Sequence, residues 1–460
     1  MQCLDAVIVA RCVSGVAGIG SVLLVGALGR RMESKAAGLA AAALLAVVPI
    51  EVTQTHYVSV DVLQNVFITL TLIAGCAPVV GASHLWAALG GVGAGLAFAT
   101  KYNALLAGAA PAWAILEIAW RRRSVLPLLT MGTALAGGLL AAVTLGCPPC
   151  VLNPDRLAQA ISFHTSTSFS SAAASFGANP SPEIGWHARP YVYRLVAGLP
   201  FALGWPLALL ALVGVVAAVR LGRATDRVVL AALVASFVVI ARSPIVYPRY
   251  LLPLVPPLVV LAAIAVVQGR EPRPGERRDS RRLVWLAIAA LVWLYSAAFA
   301  WSLTGLYSHR QQAAVGAWLR VQAEACAARG VRLSVGYPKS NYYALDEFLR
   351  QVDADVHSQH PGSWFATVPD VFIVPDWAAT NIRLRRLYAN AELERDLRRL
   401  EDPAGEYVRV ARWSSRYLQE GFYTRLDPSF ATALERGEIG FSVYARRSLA
   451  CIDRSAVAAP

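Results

Sequence analysis

The sequence predicts a polytopic α-helical membrane protein of about ten spans, followed by an extramembrane domain of mixed α/β structure. Of its 460 residues, 56% are hydrophobic and only 15% are charged, against roughly 25% charged in an average soluble domain. The apolar residues gather in runs that approach the ~20 residues needed to cross a bilayer. After Thr304 these runs give way to shorter, more polar helical and β-like segments.

Ten apolar runs precede that change, and some are short enough to be tilted, kinked or only partly inserted. They extend approximately over residues 6–29, 36–50, 62–80, 85–99, 104–120, 125–146, 195–219, 228–240, 251–268 and 283–303. Residues 1–303 therefore form the predicted transmembrane domain, which includes an external loop at about residues 147–191.

The basic residues lie in short clusters between the runs, which is the pattern of topology signals. The net charge of +13 is not gathered on a polar face with aromatic residues for base stacking, so nucleic acid is not an expected partner. If Arg30 and Arg31 are cytoplasmic, alternation across ten spans makes the other clusters cytoplasmic too, as the positive-inside rule requires. Those clusters lie at residues 121–123, 220–227 and 270–282.

The same alternation assigns several polar segments to the external side. They are residues 56–61, Lys101, the loop at 147–191, residues 242–250 and everything after Thr304. We therefore expect a multi-pass protein of the inner (plasma) membrane whose carboxy-terminal domain is external or periplasmic.

The amino terminus is unusual for this orientation. No basic region or cleavage site precedes the first run, so it does not have the form of a signal peptide. Alternation leaves residues 1–5 external with nothing to translocate them, and we expect at least one upstream span to be absent from this sequence. The alternative is a reversed anchor oriented by the charges that follow it.

The carboxy-terminal segment, residues 304–460, is predicted to be a small α/β domain. Helical runs at 311–328 and 382–400 alternate with β-like runs at 331–336, 370–374 and 440–444. About 150 residues are enough to bury an independent core.

The cysteines indicate disulfides more than metal chemistry. Cys147 and Cys150 have the spacing of redox and metal sites, but no second pair or nearby histidine cluster completes a zinc site. A disulfide or two free thiols is the favoured interpretation. Cys326 and Cys451 are the only cysteines after residue 304, and in an oxidising compartment they can pair if their Cα atoms lie within about 7 Å. No cofactor is implied, and the need for a metal stays open.

Two polar patches between apolar runs carry the candidate functional residues, since intramembrane charges are costly and usually lie at a water-facing end. The patches read His56-Tyr57-Val58-Ser59-Val60-Asp61 and Thr100-Lys101-Tyr102-Asn103. A transferase at the external face lacks nucleotide sugars and needs a lipid-linked donor. Such a site requires a carboxylate for the acceptor's proton and cations for the departing phosphate. Asp61 offers the carboxylate, and Lys101, Arg249 and Arg11 offer the cations.

Each of these residues also has a simpler structural interpretation. Asp61 can favour the amino terminus of its helix. Lys101 can extend from a helix end towards water, and Arg249 can be an interfacial anchor beside Tyr247 and Tyr250. Arg11 is harder to explain structurally, because it lies within an apolar run and needs a partner.

Four segments, in their order along the chain, resemble the C-type glycosyltransferase superfamily over about residues 7–267. They are Ala10-Arg11 at the opening of a span, Pro49 followed by His56-Tyr57 and Asp61, the run from Gly95 to Tyr102, and Arg249-Tyr250-Leu251-Leu252-Pro253-Leu254-Val255-Pro256. The most similar branches are the protein O-mannosyltransferases and the bacterial transferases that glycosylate lipid A with aminoarabinose.

The resemblance implies an enzyme that takes a sugar from a polyprenyl-phosphate lipid and transfers it, with inversion, to a protein, lipid or glycan acceptor at the outer face of the membrane. It implies Asp61 as the catalytic residue, with Arg11, Lys101 and Arg249 binding the donor phosphate. The implied substrate-binding residues are His56, Tyr57, Tyr102 and Tyr250, and no metal ligand is implied.

The chain departs from the family where the first span and the first external acidic loop should precede Val7. Asp61 then matches the second acidic position of the family, and we expect the enzyme to be incomplete as written. A transporter or flippase of a polyprenyl-linked sugar, or a non-catalytic membrane scaffold, stays an alternative. The gathering of charges on one membrane face and the sizeable external domain favour the enzyme over the transporter.

Overall fold

A computed structural model of the chain shows a helical membrane bundle and a separate unit built on a β-sheet. The structure describes residues 2–56, 59–81, 83–169, 190–242, 248–269, 278–305, 310–338, 345–359, 368–376, 378–379, 391–414 and 440–453, together with Phe365 and Leu418. The chain divides into two compact units, the first made of residues 1–166 and 189–301 and the second containing residues 302–460.

The first unit is helical throughout its described residues. Its helices are α1 (Gln2–Met32), α2 (Lys35–Leu45), α3 (Pro49–Thr55), α4 (Asp61–Val80), α5 (His84–Thr100), α6 (Ala109–Arg122), α7 (Leu126–Gly146), α8 (Pro148–Leu152), α9 (Pro154–Phe169), α10 (Pro190–Tyr193), α11 (Leu199–Leu203), α12 (Trp205–Leu221), α13 (Ala224–Arg242), α14 (Val255–Gly269) and α15 (Arg278–Thr304). Two 3-10 helices, Tyr102–Gly108 and Pro248–Leu254, precede α6 and α14.

The protein is an integral multi-pass membrane protein, and its described helices confirm the predicted polytopic helical class. Within the described residues, seven helices are long and apolar enough to cross a membrane, and up to nine if each of two bent pairs is one span. The run predicted at 36–50 bends by 61° between α2 and α3, where Pro49 starts the new helix. The run at 195–219 bends by 116° at Gly204, whose φ is +82°. Helix α5 has only 17 residues.

The predicted loop at 147–191 is partly helical, because α8 and α9 occupy its first part, and its residues 170–189 lie outside the described part of the chain. Helix α14 lies at the centre of the bundle. Its residues from Val255 to Val266 are all buried, and α1, α2 and α12 pack against it. A helix that is apolar on every side is suited to such a fully enclosed position.

Three of the four predicted basic clusters meet at one end of the bundle. Glu33, just after α1, accepts hydrogen bonds from Arg223 and from Gln268. Glu117 on α6 accepts hydrogen bonds from Arg227 on α13. These contacts place residues 30–31, 121–123 and 220–227 at one end of the bundle, as a shared membrane side requires. The predicted cluster at 270–282 lies largely outside the described residues.

The second unit contains a mixed five-stranded sheet. Its strands are β1 (Ser334–Pro338), β2 (Asp355–Gln359), β3 (Val371–Pro375), β4 (Tyr407–Ser414) and β5 (Gly440–Arg446), in the spatial order β2-β1-β3-β5-β4. Strand β1 is parallel to β2 and β3, whereas β5 is antiparallel to β3 and β4. The described helices of this unit are α16 (Arg310–Ala327), α17 (Leu345–Leu349) and α18 (Ala391–Glu401).

The predicted strands of this unit correspond to β1, β3 and β5, and two further strands were not predicted. Strand β2, with the sequence DVHSQ, is a polar edge strand without an apolar run. Strand β4 interrupts its alternation at a register shift between Arg409 and Ala411. The predicted helix at 382–400 corresponds to α18, and its first residues lie outside the described residues.

Candidate functional site

Asp61 begins α4 at one end of the bundle and is only 3% exposed. The hydroxyl of Ser59 donates to Asp61 Oδ2 at 2.8 Å and also lies 3.2 Å from the Asp61 amide nitrogen, which donates to it. A serine two residues before the first helical residue thus satisfies one of the helix's unpaired amides. The carboxylate is held in a fixed position.

Lys101 provides the partner of this carboxylate. Helix α5 ends at Thr100 and a 3-10 helix begins at Tyr102, so Lys101 lies between them with extended backbone angles, φ −161° and ψ 123°. This break turns the lysine towards α4, where its Nζ donates to Asp61 Oδ1 at 2.6 Å. The side chains of Lys101 and Asp61 are only 21% and 4% exposed, so this is a largely desolvated ion pair.

Arg249 and Tyr250 approach the pair from the 3-10 helix Pro248–Leu254. The Lys101 Nζ lies 4.9 Å from the centre of the Tyr250 ring, and the Arg249 Cζ lies 5.6 Å from the same centre. Arg249 also interacts electrostatically with Asp61. The structure therefore brings four predicted site residues together from α4, the α5 end and a segment nearly 150 residues further along the chain.

The other predicted residues are placed less closely around this cluster. Arg11 is exposed on α1, one turn before Ser14, whose hydroxyl lies 3.4 Å from the Ser59 carbonyl oxygen. Tyr102 follows Lys101 directly and is half-buried. His56 is exposed and its Nδ1 lies 2.7 Å from the Val52 carbonyl oxygen, a contact within its own turn. Tyr57 lies outside the described residues.

Polar residues that the sequence analysis did not assign extend from Asp61 into the bundle. Asn65, one turn after Asp61, donates to Glu51 Oε2 at 2.7 Å, and Gln64 donates to Asn103 at 3.0 Å. Glu51, Gln64 and Asn65 are buried. The signal that could have found two of them is the spacing of Asp61, Gln64 and Asn65, which places three polar side chains on one face of an apolar helix.

A disulfide lies at the same end of the bundle. Cys147 and Cys150 are bonded, with their Cα atoms 5.3 Å apart. Gly146, just before Cys147, packs so closely on Ala99 that an added Cβ would lie 2.9 Å from the Ala99 Cβ. Ala99 is two residues before Lys101, so the disulfide and the ion pair share one level of the bundle. The predicted disulfide alternative for these cysteines is the one found.

The cluster combines features that suit an anionic group bound at a membrane surface. Two cations flank one aromatic ring, and a carboxylate fixes one of these cations. Among the residues described, no three His, Cys, Asp or Glu side chains are grouped as a protein-held metal site would require.

Comparison with known families gives a match in the part of the chain that contains Asp61 and Lys101. Residues 5–145 match the model of the family described as dolichyl-phosphate-mannose-protein mannosyltransferase. The resemblance to membrane glycosyltransferases that use polyprenyl-phosphate donors, predicted from the sequence, is thereby confirmed over these residues. Arg249 and Tyr250 lie outside the matched segment. No curated protein sequence matches significantly.

Several solved structures are similar to the chain over most of its length. The apo structure of ArnT from Cupriavidus metallidurans has 15% sequence identity and a TM-score of 0.42, with 98% of this chain and 84% of that chain covered. The same protein bound to undecaprenyl phosphate gives a TM-score of 0.40 at 15% identity, with 98% and 85% covered. The oligosaccharyltransferase AglB from Archaeoglobus fulgidus, with an inhibitory peptide and a dolichol-phosphate, gives 0.42 at 11% identity, with 95% and 77% covered.

Proposed function

We propose that this protein transfers a sugar, with inversion, from a polyprenyl-phosphate donor to an acceptor at one face of the membrane. The observation that carries the proposal is the Asp61–Lys101 ion pair of 2.6 Å, with Arg249 beside it, at one end of the bundle. Charged groups inside a membrane protein are costly and are usually functional. The family match over residues 5–145 supports a transferase.

Lys101 and Arg249 bind the donor phosphate in this proposal. Their cationic groups lie at 4.9 and 5.6 Å from the centre of one ring, that of Tyr250, so both positive charges are gathered around the position proposed for the phosphate. When the sugar leaves, negative charge develops on the phosphate oxygen that had held it, and fixed cations stabilise that charge. Arg11 belongs to the same donor site because its turn of α1 precedes Ser14, which contacts Ser59.

Asp61 is the proposed catalytic carboxylate. Its Oδ1 orients Lys101, and its Oδ2 accepts the Ser59 hydroxyl, which leaves an acceptor position on Oδ2 for a substrate proton. The acceptor oxygen forms the new bond to the anomeric carbon while the bond from that carbon to the phosphate oxygen breaks. The phosphate departs with the electron pair, and the acceptor's proton passes to Asp61. His56, Tyr57, Tyr102 and Tyr250 contact the substrates in this proposal.

We place this site on the external face of the inner (plasma) membrane, where the carboxy-terminal domain of residues 304–460 also lies. The opposite end of the bundle carries Arg30 and Arg31, together with Arg223 and Arg227, which are bound to carboxylates. Such a basic end is the one that the positive-inside rule assigns to the cytoplasm. The Cys147–Cys150 disulfide lies at the same end of the bundle as the site, and disulfides persist in oxidising compartments.

The experiment that tests the donor site measures binding of undecaprenyl phosphate to the purified full chain in detergent. The neutral alcohol undecaprenol is the control ligand, and Arg123→Gln, an exposed arginine at the opposite end, is the control variant. We expect Lys101→Gln and Arg249→Gln to weaken binding of the phosphate about tenfold or more, because each removes a charge-assisted contact. Equal binding of the alcohol, or unchanged binding in both variants, would refute the site.

A second assay tests the chemistry with undecaprenyl-phosphate mannose, labelled in the sugar, in proteoliposomes that also carry an extract of candidate acceptors. The wild-type chain should move label to an acceptor and release undecaprenyl phosphate. We expect Asp61→Asn to slow this release on the order of 100-fold while donor binding changes much less. Movement of the labelled lipid across the bilayer without any transfer would replace the enzyme with a flippase.

A further inference from the structure

A groove lies at the opposite end of the bundle from the Asp61 cluster. It has a volume of about 800 Å³ and is formed by α1, α2 and one residue of α4. Its apolar wall includes Leu23, Leu39 and Ile73. Leu23 and Leu39 are 68% and 74% exposed, so in a bilayer they face acyl chains. The groove is therefore open to lipid along its length.

Three cations line one end of this groove, namely Arg30, Arg31 and Lys35. Within the described part of the chain, none of them has a carboxylate within ion-pair distance. The hydrogen bonds of the nearby Glu33 go to Arg223 and Gln268 instead of to these three cations. The Arg31 guanidinium lies 4.9 Å above the Trp86 ring, which holds it without cancelling its charge.

This arrangement differs from that of three other basic residues at the same end. Arg121 and Arg227 both bind Glu117, and Arg223 binds Glu33 and Asp226. A topology signal requires only that basic residues lie near the helix ends. Three cations without an ion-pair partner, set beside an apolar groove, also meet the two chemical requirements of an anionic lipid site. They supply positive charge for the phosphate, and the groove supplies an apolar surface for an acyl chain.

We propose that this groove binds an anionic glycerophospholipid, with its phosphate on Arg30, Arg31 and Lys35 and an acyl chain along Leu23 and Leu39. The site is separate from the Asp61 cluster. Ser14 lies beside Ser59 at the cluster, and Arg30 is 16 residues further along α1, about 24 Å at 1.5 Å per residue. The inference therefore does not rest on the proposed transferase activity.

The test titrates phosphatidylglycerol into the delipidated full chain in a neutral detergent and follows the thermal unfolding midpoint, with phosphatidylcholine as the reference lipid. A lipid that binds only the folded state raises this midpoint as its concentration increases. We expect the rise with phosphatidylglycerol only. Inorganic phosphate is a third arm of the experiment. An equal rise of the midpoint with phosphate alone would show a site for the free anion and would overturn the proposed lipid site.

Charge variants locate the effect. The triple variant Arg30→Gln/Arg31→Gln/Lys35→Gln should lose the response, with about fivefold weaker apparent affinity for each charge removed. The matched control Arg122→Gln/Arg123→Gln/Arg220→Gln removes the same charge from exposed arginines at the same end, outside the groove. This control should keep the response to phosphatidylglycerol. Equal loss of the response in both triple variants would indicate diffuse electrostatic attraction and would refute lipid binding in the groove. If the triple variant does not fold, Lys35→Gln alone should still lower the number of phosphatidylglycerol molecules retained in native mass spectra, and unchanged retention would refute the proposal.

Discussion

At the scale of single residues, the bundle holds its buried charge in two different ways. Asp61 and Lys101 form an ion pair, and each group also lowers the cost of burying the other. Glu51, 3% exposed, has no cationic partner among the described residues and instead binds the amide of Asn65. The pair near the surface is suited to bind a charged ligand, whereas the deeper contact fixes the first turns of α4, where Asp61 begins the helix.

The Glu51–Asn65 contact leaves Asn65 Oδ1 without a donor among the described residues, and the only neighbouring donor for Glu51 Oε1 in that part of the chain is the buried hydroxyl of Ser21. A proton on Glu51 would supply the missing donor, and so would the NH₂ group of a glutamine. We therefore expect Glu51→Gln to leave the unfolding free energy within about 0.5 kcal/mol of wild type or to raise it. Glu51→Leu leaves Asn65 unpaired and should cost about 1–3 kcal/mol.

Both variants are compared by the midpoint of thermal unfolding in the same detergent. Because leucine and glutamine are similar in size, the comparison isolates hydrogen bonding from packing. Equal destabilisation by the two substitutions would mean that an ionised Glu51 is required, and the interpretation of the contact would then fail.

At the scale of secondary structure elements, close approach between glycine faces holds α5 and α7 together. A Cβ added to Gly138 would overlap the Ala88 carbonyl oxygen, and one added to Gly91 would overlap the carbonyl oxygen of Leu135. Both obstacles are backbone atoms that cannot rotate away. Small residues at such positions let membrane helices pack closely without a hydrophobic driving force between them. This contact also positions Lys101, because α5 ends there.

Adjacent glycines on α7 offer a matched test of this packing. Gly138→Ala should destabilise the fold by about 1–3 kcal/mol, since the helices must separate to admit the methyl group. Gly137 has no atom within 4 Å of a Cβ at its position. Gly137→Ala should therefore be neutral or stabilising by up to about 1 kcal/mol, because alanine favours the helix. Thermal unfolding in detergent measures both, and similar effects of the two changes would contradict the packing interpretation.

The elements also show what could be predicted from the sequence. Long apolar runs predict helices well, because only a helix satisfies its own backbone in lipid. Kinks were expected in some runs, but the positions of the bends at Pro49 and Gly204 were not predicted, since run length does not reveal a turn inside an apolar segment. Candidate charges were recognisable one by one. Their pairing was not, because Asp61 and Lys101 are 40 residues apart and meet only through the packing of α4 on α5.

At the scale of the whole molecule, the bundle has two chemically different ends. One carries the Asp61 cluster and the Cys147–Cys150 disulfide, and the other carries the convergent basic residues around Glu33 and Glu117. In the second unit, Cys326 and Cys451 form the predicted disulfide, with Cα atoms 5.0 Å apart and a sequence separation of 125 residues. A bond that closes so long a loop is worth up to roughly 4–5 kcal/mol in the chain-entropy model.

These features lead to a prediction about membrane sidedness. A fluorescent reporter that matures only in the cytoplasm, fused after Pro460, should stay dark, whereas a phosphatase that needs disulfides to fold should be active there. The same reporters inserted between Arg123 and Ser124, at the turn that separates α6 from α7, should give the opposite pattern. As an independent readout, Cys326 and Cys451 in the intact chain should resist alkylation until a reductant is added. Fluorescence from the fusion at Pro460, together with freely alkylated Cys326 and Cys451, would place the second unit in the cytoplasm. It would also remove the external face on which the proposed transferase depends.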